Sequence, residues 1–266
     1  MKYFPFFLGL FSISVLIGGC SHLGKEVVVL SMIKDCPEYN DKDWLAKADF
    51  IDSKTPTHEL QCWLAFLRAT SNPVILQSHF PSQICILLAE RQEDQETQGK
   101  LAAEGVHFAE QAISMGAEED GRVHYYWAVN MGLAIRRHFA LALQNLKPLA
   151  ERLESAQQKV PAEEWGGPGR VLGMLYLKAP SWPQNIGDYD KAFALLKQTV
   201  GQFPKHPLNH LFYAQALWTI NESDSIEEIR GELEKTRELL KEERWGFAKN
   251  SWVKELEEFE KELPTP

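Results

Sequence analysis

The chain has 266 residues, of which 44% are hydrophobic and 24% charged, and its formal net charge is −9. This composition excludes an intrinsically disordered chain and a small disulfide-held scaffold, and the length allows one or two globular domains with a sizeable core. The negative charge excludes nucleic acid as an expected partner, because phosphate backbones repel an acidic surface. After the first twenty residues, no apolar stretch is long enough to cross a bilayer.

The N-terminus has the organisation of a secretion signal. Lys2 supplies a positive start, residues 4–17 are almost wholly apolar, and the small pair Gly18-Gly19 precedes Cys20. This ending resembles the lipobox of bacterial lipoproteins, which implies that residues 1–19 are removed and that Cys20 carries lipid. The alternatives are an ordinary cleaved signal with an incidental cysteine and an uncleaved N-terminal anchor.

Lipid on Cys20 would hold the protein on a membrane without any transmembrane helix. The next residue is Ser21 and not Asp, which predicts the periplasmic face of the outer membrane under the sorting rule of enteric-type bacteria. Residues 20–56 are then the lipid anchor, a polar tether and a docking segment around residues 44–50. Residues 57–263 form the helical domain.

Three further cysteines, Cys36, Cys62 and Cys85, predict one disulfide and one free thiol in the oxidising periplasm. Any of three pairings fits. We favour Cys62–Cys85, because the flanking segments can form an antiparallel helical hairpin around Asn72-Pro73. Zinc binding is disfavoured by the wide spacing, and the remaining alternative is that all three are small core residues.

Helical periodicity dominates from residue 57 onward, and Gly, Pro and Asn separate the periodic runs. No set of alternating strands is present, so the predicted fold class is all-α, a solenoid of helical hairpins. The predicted helices are residues 57–70, 81–93, 97–115, 121–137, 139–157, 168–178, 189–202, 207–220, 225–243 and 249–262.

One helix pair has the spacing of a tetratricopeptide repeat (TPR). Leu172, Gly173 and Tyr176 match the first helix of such a repeat, and Ala192 and Leu196 match the second. Small residues at Gly173 and Ala192 let the two helices approach closely. The succession of helix pairs predicts a TPR-like stack.

The repeat is interrupted by an insertion of about seven residues within residues 179–188. Trp182 lies there between two prolines, which stiffen the loop and lower the entropy lost when it becomes ordered. We interpret this loop as the functional face, with Tyr176, Tyr126 and Trp127 as its apolar neighbours. The alternative is that Trp182 only closes the end of the stack.

Several short segments around this insertion are distinctive: Trp165-Gly166-Gly167-Pro168-Gly169-Arg170, Ala179-Pro180-Ser181-Trp182-Pro183 and Ile186-Gly187-Asp188, with His124-Tyr125-Tyr126-Trp127 upstream and Pro207-Leu208-Asn209-His210 downstream. Together they resemble the T-component lipoproteins associated with TRAP-type transporters, over residues 89–218. The resemblance implies a TPR-like periplasmic lipoprotein without catalytic residues. It also implies a periplasmic solute-binding protein as partner and a hydrophobic ligand in a pore or groove of the stack.

The candidate residues for binding a ligand or partner are Tyr126, Trp127, Arg170, Tyr176, Trp182 and Asp188. Repeat packing is the competing explanation for at least half of the aromatic residues in this region. Arg170 and Asp188 bracket the insertion, so they could form an ion pair that fixes the loop, or remain separate and solvated.

No enzyme is predicted, because no nucleophile, metal-ligand or phosphate-loop motif is present. Gly166-Gly167-Pro168 is predicted to form a turn, and His206 and His210 are not predicted to bind a metal. No cofactor is expected.

The expected partners are the membrane, through lipid, and a solute-binding or other envelope protein, and a homo-oligomer is compatible with this interpretation. The alternative function is a TPR scaffold for outer-membrane barrel or pilus secretin assembly.

Overall fold

The computed structural model describes residues 36–181, 185–221 and 225–264. The structure is 78% helical, and the twelve helices described pack against their neighbours. Within these three ranges there is no strand, apart from one isolated bridge between Ser181 and Gly187. The chain is an all-α solenoid of helical hairpins, which confirms the fold class predicted from the sequence.

The α-helices in the described ranges are α1 (Asp41–Lys47), α2 (Thr57–Ala69), α3 (Pro73–Leu76), α4 (Phe80–Ala89), α5 (Gln95–Ala112), α6 (Gly121–Ile135), α7 (Phe139–Lys159), α8 (Gly167–Lys178), α9 (Tyr189–Gln202), α10 (Pro207–Asn221), α11 (Ile226–Leu240) and α12 (Lys249–Glu260). Short 3₁₀ segments are Ala48–Phe50, Glu163–Trp165 and Glu243–Ala248. A π-helical segment, Ile113–Ala117, directly follows α5. Each predicted helix is present. The sequence prediction missed two helices: α1, which lies in the predicted docking segment, and α3, which occupies the turn expected around Asn72-Pro73.

Short polar side chains cap the N-termini of several helices. Asn40, Asp94, Asp120 and Asp188 accept hydrogen bonds from backbone N–H groups in the first turns of α1, α5, α6 and α9, respectively. These side chains satisfy donors that have no partner inside the helix. Gly116 ends the run that begins with α5, because its φ of 107° is a conformation that side chains rarely adopt.

Consecutive helices pack against each other from α4 to α11. The pair α8 and α9 approaches closely at Gly173, where an added Cβ would lie only 2.6 Å from Cγ of Leu196. Ala192, on α9, is wholly buried. The close packing expected at these two small residues is therefore present in the structure.

The segment before α2 is part of the fold. Trp44 is 1% exposed, and its ring lies 5.3 Å from the ring of Trp63 in α2, which in turn stacks on Tyr39 at 3.7 Å. These rings belong to an N-terminal core with residues of α2, α4 and α5, while a second core extends from α4 to α12. Leu133 of α6 packs against both cores and links them.

The predicted Cys62–Cys85 pairing is wrong. Cys62 is bonded to Cys36, with a Cα–Cα distance of 5.4 Å, and Cys85 is a free, buried thiol. Cys85 is wholly enclosed in the N-terminal core on α4, and burial raises its pKa well above the usual value. Cys62 instead meets the chain that enters the fold before α1. The disulfide therefore fastens the entering chain to α2.

The two ends of the solenoid meet. The N–H of Phe247 donates to the carbonyl of Ser53 at 3.4 Å, and a Cβ added to Gly246 would lie 2.5 Å from the same oxygen. Arg91 links both sides, because its guanidinium donates to the carbonyls of Ser53 and Thr55 and lies 4.2 Å from the ring centre of Phe247. The loop before α2 and the Glu243–Ala248 segment thus close the curved stack into a ring.

Among the described residues, no helix is long and apolar enough to cross a membrane. Cys20, on which the predicted anchor depends, lies outside these residues.

Candidate binding cavity

Closure of the solenoid encloses a cavity of about 330 Å³ between its two ends. Its walls come from the loop before α2, the inner side of α4, the 3₁₀ turn before α8, the chain before α10, the Glu243–Ala248 segment and α12. The volume lies in the range of small-molecule sites. We call this space the central cavity.

One wall of the central cavity is aromatic. The ring of Trp245 lies 5.6 Å from that of Trp252 and 6.4 Å from that of Trp165, and His206 contacts both Trp245 and Trp252 at about 5 Å. Arg244 lies over two of these rings, 4.7 Å from the centre of Trp165 and 4.4 Å from that of Trp245. Its guanidinium therefore makes a cation–π contact with each ring.

The turn that presents Trp165 is strained. Glu164 and Trp165 have φ values of 44° and 57°, in the left-handed region, and Gly166 follows with a φ of 89°. Two consecutive non-glycine residues in this region carry a conformational cost that the surroundings must offset. Such strain is common at binding sites, where it sets the direction of a side chain.

Arg170 and Asn209 stabilise this turn by donating hydrogen bonds to its carbonyl groups. Arg170 donates to the carbonyls of Glu164 and Trp165 at 3.3 and 3.4 Å and to Oδ1 of Asn209 at 2.8 Å. Asn209 donates to the carbonyl of Trp165 at 2.9 Å. Both side chains are buried, so the charge of Arg170 is already solvated by these acceptors.

The carboxylate of Glu164 is also engaged. It accepts hydrogen bonds from the hydroxyls of Tyr125, at 2.6 Å, and Tyr126, at 3.1 Å. Burial, with the nearby charge of Glu164, raises the pKa of both hydroxyls well above the usual value, so both remain protonated donors. Tyr126 thus supports the turn instead of facing the central cavity.

Glu90, at the end of α4, is open to the central cavity although protein surrounds it. No hydrogen bond or ion pair joins its carboxyl to the described part of the chain. Poor solvation of its charge raises the pKa of this carboxyl to about 7; Glu164 adds to the rise, while Arg91 and Arg170 oppose it. This carboxyl therefore keeps its proton to a higher pH than an ordinary glutamate does.

His206 is neutral at this pH. Burial lowers its pKa well below the usual value, and the charges of Arg170 and Arg244 lower it further. Its Nδ1 accepts a hydrogen bond from the N–H of Leu208 at 3.2 Å, which leaves the proton on Nε2.

The chain matches no protein-family model and no curated protein sequence.

Of the predicted binding residues that the structure describes, Arg170 lines the central cavity and the others lie elsewhere. Trp127 is 4% exposed and packs under the guanidinium of Arg152 at 4.4 Å. Tyr176 is buried, and its hydroxyl donates to Glu154 at 2.5 Å. Repeat packing, which was the competing explanation, accounts for Tyr126, Trp127 and Tyr176.

The Arg170–Asp188 ion pair is not formed, because the two residues lie at opposite ends of α8. Asp188 caps α9, accepting from the N–H of Lys191 at 3.0 Å. Trp182 lies outside the described residues. The rest of the insertion is tied back to α8, since Asp188 donates its N–H to the carbonyl of Tyr176, and Gly187 donates to that of Pro180. Its described residues do not line the central cavity.

The sequence reading missed Glu90, Arg244 and Trp245, and it placed Trp252 only in a helical stripe. One signal was available: Trp245 and Trp252 lie close together in a segment rich in charged residues. A tryptophan pair in such a setting needs a partner surface. Trp165 and His206 supply that surface.

One group of three metal-ligand side chains lies outside the cavity, in the described part of the chain. Cys36, His58 and Cys62 bring their ligand atoms within 4.8 Å of one another. Because the two sulfurs are joined in the disulfide, neither is a thiolate, and a thiolate is the form in which cysteine binds metal.

Proposed function

We propose that the protein is a non-enzymatic periplasmic lipoprotein, anchored through lipid on Cys20, that holds a small and partly apolar ligand in the central cavity. We further propose that it serves as an accessory component of a TRAP-type transport system. The observation that carries the binding function is the closure of the helical stack around a space walled by Trp165, Trp245 and Trp252.

The composition of the central cavity supports a binding site. Apolar side chains of α4, such as Ile86 and Leu87, face the space together with the tryptophans, and a few polar groups are added. Small-molecule sites have this character, since apolar surface gives affinity and the polar groups set orientation. Trp165 and Arg170 also belong to the segments that resemble the transporter-associated lipoproteins.

Most polar groups of the central cavity are engaged in hydrogen bonds within the protein, which favours binding over catalysis by those groups. Glu164, Arg170 and Asn209 already form the hydrogen bonds that hold the strained turn. His206 accepts a bond from its own backbone region. A reaction would need these groups free to exchange protons or charge with a substrate.

The test of the ligand function is native mass spectrometry of the protein isolated from bacterial envelopes. We expect the intact protein to carry a small molecule. Leu87→Trp, which fills the central cavity, should lose it, while Val74→Trp, on the exposed side of α3, should keep it. A bare wild-type protein, or a ligand retained equally by Leu87→Trp, would contradict the proposal.

The transport role is tested by capture with the tagged, lipidated protein from the same envelopes. Recovery of a solute-binding protein or a TRAP permease is the expected result. Recovery of subunits of the barrel-assembly or secretin machinery instead would favour the alternative, a TPR scaffold.

A further inference from the structure

The aromatic wall of the central cavity already holds a cation. The guanidinium of Arg244 is stacked against Trp165 and Trp245, with its carbon 4.7 and 4.4 Å from the two ring centres. The electron-rich faces of tryptophan attract positive charge, and an array of aromatic faces is how proteins recognise quaternary ammonium and related groups. Arg244 therefore shows which kind of charge this wall attracts.

Arg244 is partly open to solvent at this position. Its other contacts are a hydrogen bond to the carbonyl of Lys205 at 3.0 Å and an ion pair with Glu242 at 2.7 Å. Its side chain is 28% exposed, so water can solvate it when it leaves the rings. Arg170 differs, because it is buried and bound to two carbonyls of the turn and to Asn209.

The central cavity also presents a carboxyl that lacks a partner. Glu90 is accessible from the cavity, and its carboxyl makes no hydrogen bond or ion pair to the described residues. The other two acidic residues of the wall are occupied: Glu164 accepts from two tyrosines, and Asp52 accepts from the N–H groups of Lys54 and Thr55. The carboxylate of Glu90 is therefore free to pair with a cationic group that enters the central cavity.

We propose that the ligand of the central cavity is an organic cation, a molecule with an ammonium or guanidinium group on an apolar body, and that Arg244 occupies the tryptophan wall in its absence. The inference rests on the proposed ligand-binding function and names the class of ligand. The cation displaces Arg244 from the face of Trp245 and pairs with the carboxylate of Glu90.

An anionic ligand is less well matched to the same wall. One possible partner is Arg170, but its guanidinium already donates hydrogen bonds to three acceptors in the protein. The other is Arg244, which an anion would have to draw away from the faces of two tryptophans. The anion would also bring a negative charge close to Glu90. Lys54, whose exposed ammonium group has no described partner, is the remaining basic side chain of the wall.

The test is isothermal titration of the folded protein at pH 8, where Glu90 is ionised, with three probes of similar size: benzyltrimethylammonium, benzyl alcohol and phenylacetate. We expect benzyltrimethylammonium to bind with the highest affinity. Glu90→Gln should lower its affinity about tenfold or more. Arg244→Ala should raise it several-fold, because the competing internal cation is removed.

Arg152→Ala is the matched control, since Arg152 forms the same kind of stack on Trp127 away from the central cavity and should leave the affinity unchanged. Tighter binding of phenylacetate or benzyl alcohol, or weaker cation binding in Arg244→Ala, would overturn the inference while leaving the cavity a ligand site. If none of the probes binds to the wild type or to Arg244→Ala, the cavity fails as a ligand site and both proposals fall.

Discussion

At the scale of single residues, the central cavity depends on charges that differ in how well they are paired. Arg170 and Glu164 have several partners and fix the position of Trp165, whereas Glu90 has none among the described residues. The paired groups fix the shape of the cavity, and the carboxyl of Glu90 is the group that we propose pairs with the ligand. The raised pKa of Glu90 is the measurable sign of this difference.

Substitution of Glu90 should change how stability depends on pH. Its pKa is about 7 in the folded protein and near 4.5 in the unfolded chain, so the folded state holds a proton between these values that the unfolded state has lost. This contribution to stability is present below pH 4.5 and disappears as the pH rises through 7. Glu164, Arg91 and Arg170 are the charged groups that shift this carboxyl.

We therefore expect the melting temperature of Glu90→Gln, relative to wild type, to rise between pH 5 and pH 8. Leu87→Ala is the control, because it alters the same wall without a titrating group and should show a constant difference. A constant difference for Glu90→Gln as well would show that the carboxyl is ordinarily solvated.

At the scale of helices, small residues set the distance between neighbours. A Cβ on Gly173 would lie 2.6 Å from Leu196, whereas a Cβ on Gly231, in the middle of α11, would meet nothing within 4 Å. Both glycines are interior helical positions. They differ only in whether a second helix lies against them.

Gly173→Ala should therefore destabilise the protein by about 1–3 kcal/mol through overpacking. Gly231→Ala should stabilise it by about 0.5–1 kcal/mol, because alanine loses less backbone entropy in a helix. Urea unfolding of the two variants measures both values. Equal effects would mean that α8 and α9 do not approach at Gly173.

Local spacing allowed the pairing of α8 and α9 to be predicted from the sequence. Contacts between residues far apart in the sequence could not be predicted in this way. The steps between Leu172, Gly173 and Tyr176 belong to one helix, so the pattern itself predicts which face packs. The partner of Cys62 depended on the path of the chain before α1, which has little periodicity. Trp165 and Trp245 are 80 residues apart in the sequence and come together through the packing of α8 to α12, which no local pattern records.

At the scale of the whole molecule, the protein is a curved stack of helices whose two ends meet. The stack gives the cavity rigid walls, and the meeting of Ser53 with the Glu243–Ala248 segment closes it. The predicted lipid anchor would tether this ring to the membrane by the chain that enters at Cys36. The disulfide to Cys62 fixes the point at which the tether joins the fold.

The anchor is tested by growing cells with labelled palmitate. We expect label on the wild-type protein and none on Cys20→Ala, which should also leave the membrane fraction, because the acyl chains supply the hydrophobic attachment. Equal labelling of both proteins would show that Cys20 is not the lipidated residue.

The central claim, that the two ends of the solenoid meet around the cavity, is tested most directly by a thiol count on residues 21–266 carrying Ser53→Cys and Phe247→Cys. The N–H of Phe247 donates to the carbonyl of Ser53 at 3.4 Å, so the two segments run side by side at this point and a disulfide between them is expected. After denaturation, the account predicts one free thiol, that of Cys85, because the new pair and Cys36–Cys62 are both oxidised. Ser53→Cys alone should give two thiols, and three thiols in the double variant would contradict the closed ring.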